Sequence, residues 1–110
     1  MILLKNLRYM AFSLALLLVT PGVWGQTWDG GGLTDAWDEA ANWNPDNVPG
    51  SGDTAIFNTV ATVDISSDPT VNILTIEGTG NVTLTGGGTL TANNVTNDGI
   101  IAVGDNTLIA

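Results

Sequence analysis

Val71-Asn72-Ile73-Leu74-Thr75-Ile76-Glu77-Gly78-Thr79-Gly80-Asn81-Val82-Thr83-Leu84-Thr85-Gly86-Gly87-Gly88-Thr89-Leu90-Thr91-Ala92 decides the fold class. Val71–Ile76 is a β-branched run closed by Gly78-Thr79-Gly80-Asn81. Val82–Thr85 alternates with period two and is closed by three glycines, and Thr89–Ala92 is closed by Asn93-Asn94. Alternation bounded by turn formers is the signature of short strands. The pattern continues: Val95–Gly99 leads to Ile100–Val103, and Gly104-Asp105-Asn106 leads to Thr107–Ala110. No segment has helical periodicity or the length of a crossover helix, so the chain is expected to be all-β.

Two architectures fit such spacing. Hairpins would give an antiparallel meander or sandwich. Alternatively, each strand is one side of a solenoid coil, with its partner a full coil away in sequence. Minimal turns without hairpin-specific pairs, asparagines at corners and outward threonines favour the solenoid. Asn94 and Asn106 are corner candidates, because an asparagine side chain bonds nearby backbone and tolerates left-handed dihedrals. The recurrences (Val82–Thr85, Thr89–Ala92, Thr107–Ala110) are irregular, and their spacing fixes no coil length.

Upstream lies a different composition. Gln26 to Phe57 holds Trp28, Trp37 and Trp43 within sixteen residues, among turn formers Asp29-Gly30, Asn44-Pro45-Asp46-Asn47 and Pro49-Gly50-Ser51-Gly52. Turns this frequent leave room for short strands or one helical turn. Thr34 to Trp43 is expected to hold that turn, capped by Thr34 or Asp35. Asp53 to Val63 reads as a strand pair with a turn at Asn58-Thr59.

These residues carry a family likeness. Trp28-Asp29-Gly30-Gly31-Gly32, Trp37, Ala41-Asn42-Trp43-Asn44-Pro45 and Val48-Pro49-Gly50-Ser51-Gly52-Asp53-Thr54-Ala55-Ile56-Phe57 resemble the opening of bacterial secreted β-helix proteins with autotransporter-associated β-strand repeats. Leu74-Thr75-Ile76, Val82-Thr83-Leu84, Gly86–Thr91 and Asn97-Asp98-Gly99 look like their repeat region. The resemblance spans about Trp28 to Ala110 and implies a right-handed parallel β-helix outside the cytoplasm, structural or adhesive. It brings no catalytic residues. The expected organisation is a signal peptide at 1–25, a tryptophan- and glycine-rich cap at 26–63, and the first coils of a β-solenoid at 64–110. The last residues read as the middle of a strand, so an N-terminal piece of a longer protein is expected.

The leader reading rests on local chemistry. Lys5 and Arg8 form a positive start, Met10 to Val19 is almost entirely apolar, and Thr20-Pro21-Gly22 breaks a helix before Val23-Trp24-Gly25. Cleavage after Gly25 would leave Gln26 first. A membrane span needs ~20 apolar residues and the run here is about half that. Lipidation needs a thiol, and the chain has no cysteine. A secreted or cell-surface protein follows, with no membrane insertion after cleavage.

Lys5 and Arg8 are also the only basic residues, and all eleven carboxylates lie from Asp29 onward. Cleavage would therefore move the formal charge from −9 to −11. Such a chain cannot neutralise phosphates, which argues against nucleic acid, and anionic lipid should repel it.

Catalysis is not expected. With no histidine and no cysteine there is no imidazole base or thiolate. Gly50-Ser51-Gly52 lacks the spacing of a nucleophile elbow, and no Gly-Lys-Ser/Thr phosphate loop exists. Asp53 is expected to cap a turn. No cofactor is expected, although Ca²⁺ has candidate oxygen ligands at Asp46, Asn47 and Asp53, and at Asn97, Asp98 and Asp105. Trp28, Trp37 and Trp43 are the candidate glycan-binding residues, since flat aromatic faces stack on sugars, and extracellular polysaccharide or cell-surface components are the candidate partners. The plainer role for these rings, with Ile56 and Phe57, is to cover the open apolar end of a first coil. An exported adhesin-like structural protein is therefore expected. A carbohydrate-binding module, or part of a polysaccharide-acting enzyme, is the alternative.

Overall fold

The structure, a computed structural model, describes residues 25–110; of the expected leader, 1–25, only the last residue, Gly25, is among them. The chain is all-β. Nine strands follow one another: β1 (Gly25–Trp28), β2 (Trp43–Asn44), β3 (Thr54–Phe57), β4 (Val60–Asp64), β5 (Thr70–Ile76), β6 (Asn81–Thr85), β7 (Thr89–Asn97), β8 (Ile100–Ala102) and β9 (Thr107–Ile109). One three-residue 3-10 turn, Ala40–Asn42, precedes β2.

The strands form two sheets, in the orders β2-β1-β3-β5-β7-β9 and β4-β6-β8. Every pairing between named strands is parallel except β1 with β2. From β3 onward each strand pairs with the one two places further along, and the strand between them, which belongs to the other sheet, lies within the crossover. β3 and β4 do not form the pair that their sequence suggests. The two residues between them turn the chain from one sheet into the other, and both strands find parallel partners further on.

The register gives the step that the sequence withheld. Thr54 lies against Ile73, nineteen residues on; Val60 against Asn81 and Thr70 against Thr91, twenty-one on; Thr89 against Thr107, eighteen on. The first step, Gly25 to Thr54, is twenty-nine residues because the tryptophan-rich segment is looped out within it. Parallel register stacks like on like: Ala61 on Val82 on Ile101, Val63 on Leu84, Ala55 on Leu74 on Val95, and Leu90 on Leu108. Alternation puts these on the buried side and Thr62 and Thr83 outside.

The long strands bend. The amides of Asn72 and Ile73 both donate to the Asp53 carbonyl, at 2.9 and 3.2 Å, so two residues face one. Alternation shifts there: Val71 and Leu74 are buried while the two residues between them are not. Asn93 and Asn94 repeat the shift one level on, with Asn93 Nδ2 donating to Asn72 Oδ1 at 3.2 Å. This is the geometry of a bulge, which turns a strand without ending it. β7 thus runs through Asn93-Asn94, where its sequence suggests a break, and Asn94 sits at that bend.

Turns stack on turns. Asn106 donates to the carbonyls of Leu84 and Val103 (both 2.8 Å) and accepts from the Gly87 amide (2.7 Å), clamping one corner to the next. A Cβ on Gly88 would press into the Ile65 carbonyl of the level before, whereas one on Gly78 would meet nothing within 4 Å. Gly88→Ala is therefore expected to destabilise by about 1–3 kcal/mol, and Gly78→Ala to stay within about 0.5 kcal/mol of the parent. Urea midpoints of the two variants test the stacking.

Candidate functional site

The tryptophan-rich segment folds over the β1 end of the larger sheet. Trp28 ends β1 and Trp43 begins β2, directly opposite in antiparallel register. Their ring centroids lie 5.2 Å apart at 90°. Trp37 packs edge-on against Trp43 at 4.8 Å, and Phe57 of β3 touches all three indoles at 5.5–6.1 Å. Trp43 Nε1 donates to the Trp37 carbonyl at 2.8 Å, so the buried indole has its partner.

Trp37 is placed by an additional strand-like contact. Its amide donates to the Asp64 carbonyl (2.9 Å), and the Asp64 amide donates to the Asp35 carbonyl (2.8 Å). Ala36 forms an isolated parallel bridge to Asp64, so this segment prefixes the β4-β6-β8 sheet. The helical turn expected at Thr34 to Trp43 is confined to Ala40–Asn42, because Asp35–Trp37 is drawn into extended pairing instead. Glu39, not Thr34 or Asp35, stands at its N-terminal boundary.

Two side chains hold the intervening loop. Asn42 is fully buried; its Nδ2 donates to the carbonyls of Thr34 (2.9 Å) and Ala36 (3.0 Å), and its Oδ1 accepts from the Gly32 amide (2.8 Å). The Glu39 carboxylate accepts from the amides of Leu33 and Thr34, both at 2.8 Å, and from Thr34 Oγ1 at 2.6 Å. The Thr34 hydroxyl, then those two amides, hold the Glu39 carboxyl below its ordinary value near 4.5. Neither residue stands out in the sequence. The spacing that links them, Glu39 reaching back five and six residues and Asn42 six to ten, is not that of a local capping motif. Asp53 does cap its turn, accepting from the Gly50 amide at 2.8 Å.

The glycan candidates Trp28, Trp37 and Trp43 are brought together, but they are 4 %, 1 % and 0 % exposed. Stacking on a sugar needs an open ring face, and these rings spend their faces on one another and on Phe57. Among the described residues no three His, Cys, Asp or Glu side chains are grouped to hold a metal ion. No pocket is present among the described residues. A comparison with protein-family models, curated proteins and solved structures finds no match.

Trp43→Ala empties the centre of the ring cluster and is expected to cost ~3–5 kcal/mol; denaturant melts of the two chains check it. The Glu39 interaction carries a pH signature. Its folded pKa lies below the unfolded one, so its stabilisation is present above about 4.5 and fades as pH falls through the lowered folded value. Glu39→Gln is therefore expected to lower the melting temperature at neutral pH, with a gap to the parent that narrows on acidification. A gap constant with pH would contradict that role.

Proposed function

We propose that this chain is an exported, non-enzymatic scaffold: a right-handed parallel β-solenoid whose first level is closed by the tryptophan cluster. The observation that carries the reading is the asymmetry of pairing at β1. On one side β1 continues a parallel, in-register stack; on the other it meets the two-residue antiparallel β2, followed at once by Pro45. A short edge strand ended by proline is how a sheet stops. A parallel stack with one closed end suits a surface built by repetition, presented outside the cell for structure or adhesion.

Export rests on Lys5, Arg8 and the apolar Met10–Val19, with cleavage after Gly25. Burial of Trp28, Trp37 and Trp43 favours the lid over the carbohydrate-binding alternative. The test is expression of residues 1–110 and of 26–110 in a bacterium, with fractionation and a glycan array on the exported product. The full chain is expected outside the cytoplasm and the shortened one inside it, with no glycan retained. Retention of both chains in the cytoplasm would overturn the export reading. Glycan binding lost in a folded Trp28→Phe variant would restore the carbohydrate reading.

A further inference from the structure

Gln26 carries two of the three buried side-chain N and O atoms that lack a hydrogen-bond partner among the described residues, the third being Trp37 Nε1. Gln26 lies in β1 beside Ala55 of β3, is fully buried, and neither its Nε2 nor its Oε1 has a hydrogen-bond partner. A buried amide left unpaired costs roughly 1–3 kcal/mol. The other fully buried polar side chain, Asn42, makes three bonds. Gln26 is also the residue that cleavage after Gly25 would leave first in the chain.

We propose that Gln26 is a modification site, at which the mature chain begins with pyroglutamate; this rests on the export reading above. Cleavage frees the α-amine of Gln26, whose ordinary pKa of about 7.7–8.0 leaves part of it unprotonated near neutrality. That nitrogen attacks Cδ of its own side chain. The N–Cδ bond forms, the Cδ–Nε2 bond breaks, a proton passes from the attacking nitrogen to Nε2, and ammonia leaves. No oxidant, reductant or co-reactant is needed.

The fold gives the open form nothing to set against this loss. Its amide brings two donors and an acceptor into an interior that satisfies none of them. In the lactam, the backbone nitrogen keeps one N–H for the strand and both Nε2 donors are gone. The ring carbonyl takes the acyl position that Gly25 occupies in the uncleaved chain, and Gly25 is exposed, so water can reach it. Burial of the side chain on folding places the reaction before folding, when Cδ is free to meet the amine. Cyclisation also discharges the terminus. Residues 26–110 contain no Lys, Arg or His, so the α-ammonium would be the single cation of that stretch.

That composition supplies a sharp test. The exported protein is denatured, weighed intact by mass spectrometry and treated with an amine-reactive N-hydroxysuccinimide ester, which needs no folded state. The expected product has the mass of residues 26–110 less one ammonia and takes up no label, since it holds neither lysine nor a free α-amine. An exported Gln26→Ala chain is expected to show its full mass and one label. A parent chain starting at Gln26 with full mass and one label would overturn this proposal while leaving export intact. A chain that keeps Met1 and Lys5 would overturn both.

Discussion

Parallel backbone pairing between segments eighteen to twenty-one residues apart is the constraint on which the rest depends. Strands of three to nine residues cannot be stable alone, and every buried N–H and C=O must find a partner. Here those partners lie one level before and one level after, so each level is stabilised by its neighbours. In-register stacking has a second consequence. The inward positions align from level to level, so that Ala61, Val82 and Ile101 form one apolar column, while Thr62 and Thr83 align on the outside. The alignment extends to the turns, where Gly88 is tolerated beneath nothing larger than a hydrogen because the Ile65 carbonyl fills the space.

The tryptophan cluster packs at the β1 side of the larger sheet with ring contacts and hydrogen bonds at once. The rings remove apolar surface from water, each large aromatic burying about 150–250 Å². Asn42 and Glu39 meanwhile satisfy amides and carbonyls of a loop that meets the smaller sheet at the Ala36–Asp64 bridge. The same loop lengthens the first step to twenty-nine residues, so it is an insertion within one level of the stack. β1, β3, β5, β7 and β9 share one sheet, and Trp28, Trp37 and Trp43 belong to one hydrophobic cluster with Leu74 and Leu90.

Much of the strand content was legible in the sequence, because alternation and glycine punctuation are local properties. Val82–Thr85 and Thr107–Ile109 stand where period two puts them. The step between levels was not legible, because it varies: the turn after β5 spends Glu77–Gly80 and the corresponding turn after β7 spends only Asp98 and Gly99. The two-residue link Asn58-Thr59 resembled a hairpin for the same reason, as its length says nothing about which sheet the next strand joins. Asn93-Asn94 resembled a terminator, since asparagine favours turns, yet a bulge absorbs both residues within β7. At the candidate site, the clustering of Trp28, Trp37 and Trp43 and a covering role for large rings beside Phe57 were legible, but the choice between buried and sugar-facing rings was not settled by spacing. Exposed and buried tryptophans have the same spacing until the partner ring, Phe57, is known to stack on them.

Charge placement completes the argument. In-register parallel strands stand ~4.8 Å apart, and two like charges at about 4 Å repel by about 1 kcal/mol even in water. The described residues hold eleven carboxylates and no basic side chain to screen them. Yet no registered strand pair sets carboxylate against carboxylate; the one acidic residue inside a ladder, Asp64, lies at a strand end opposite Thr85. The remaining ten occupy turns and loops, where they are exposed or accept hydrogen bonds from backbone amides, as Asp68 does from Thr89 one level on at 2.8 Å. There each charge is solvated and also serves as an acceptor for otherwise unpaired turn amides. Within the ladders the exposed positions are uncharged: threonine and asparagine, with Gly25, Val60, Ile100, Ala102 and Ile109. The acidity of the described residues is thus kept out of the direction in which the strands stack, and like charges do not oppose the pairing.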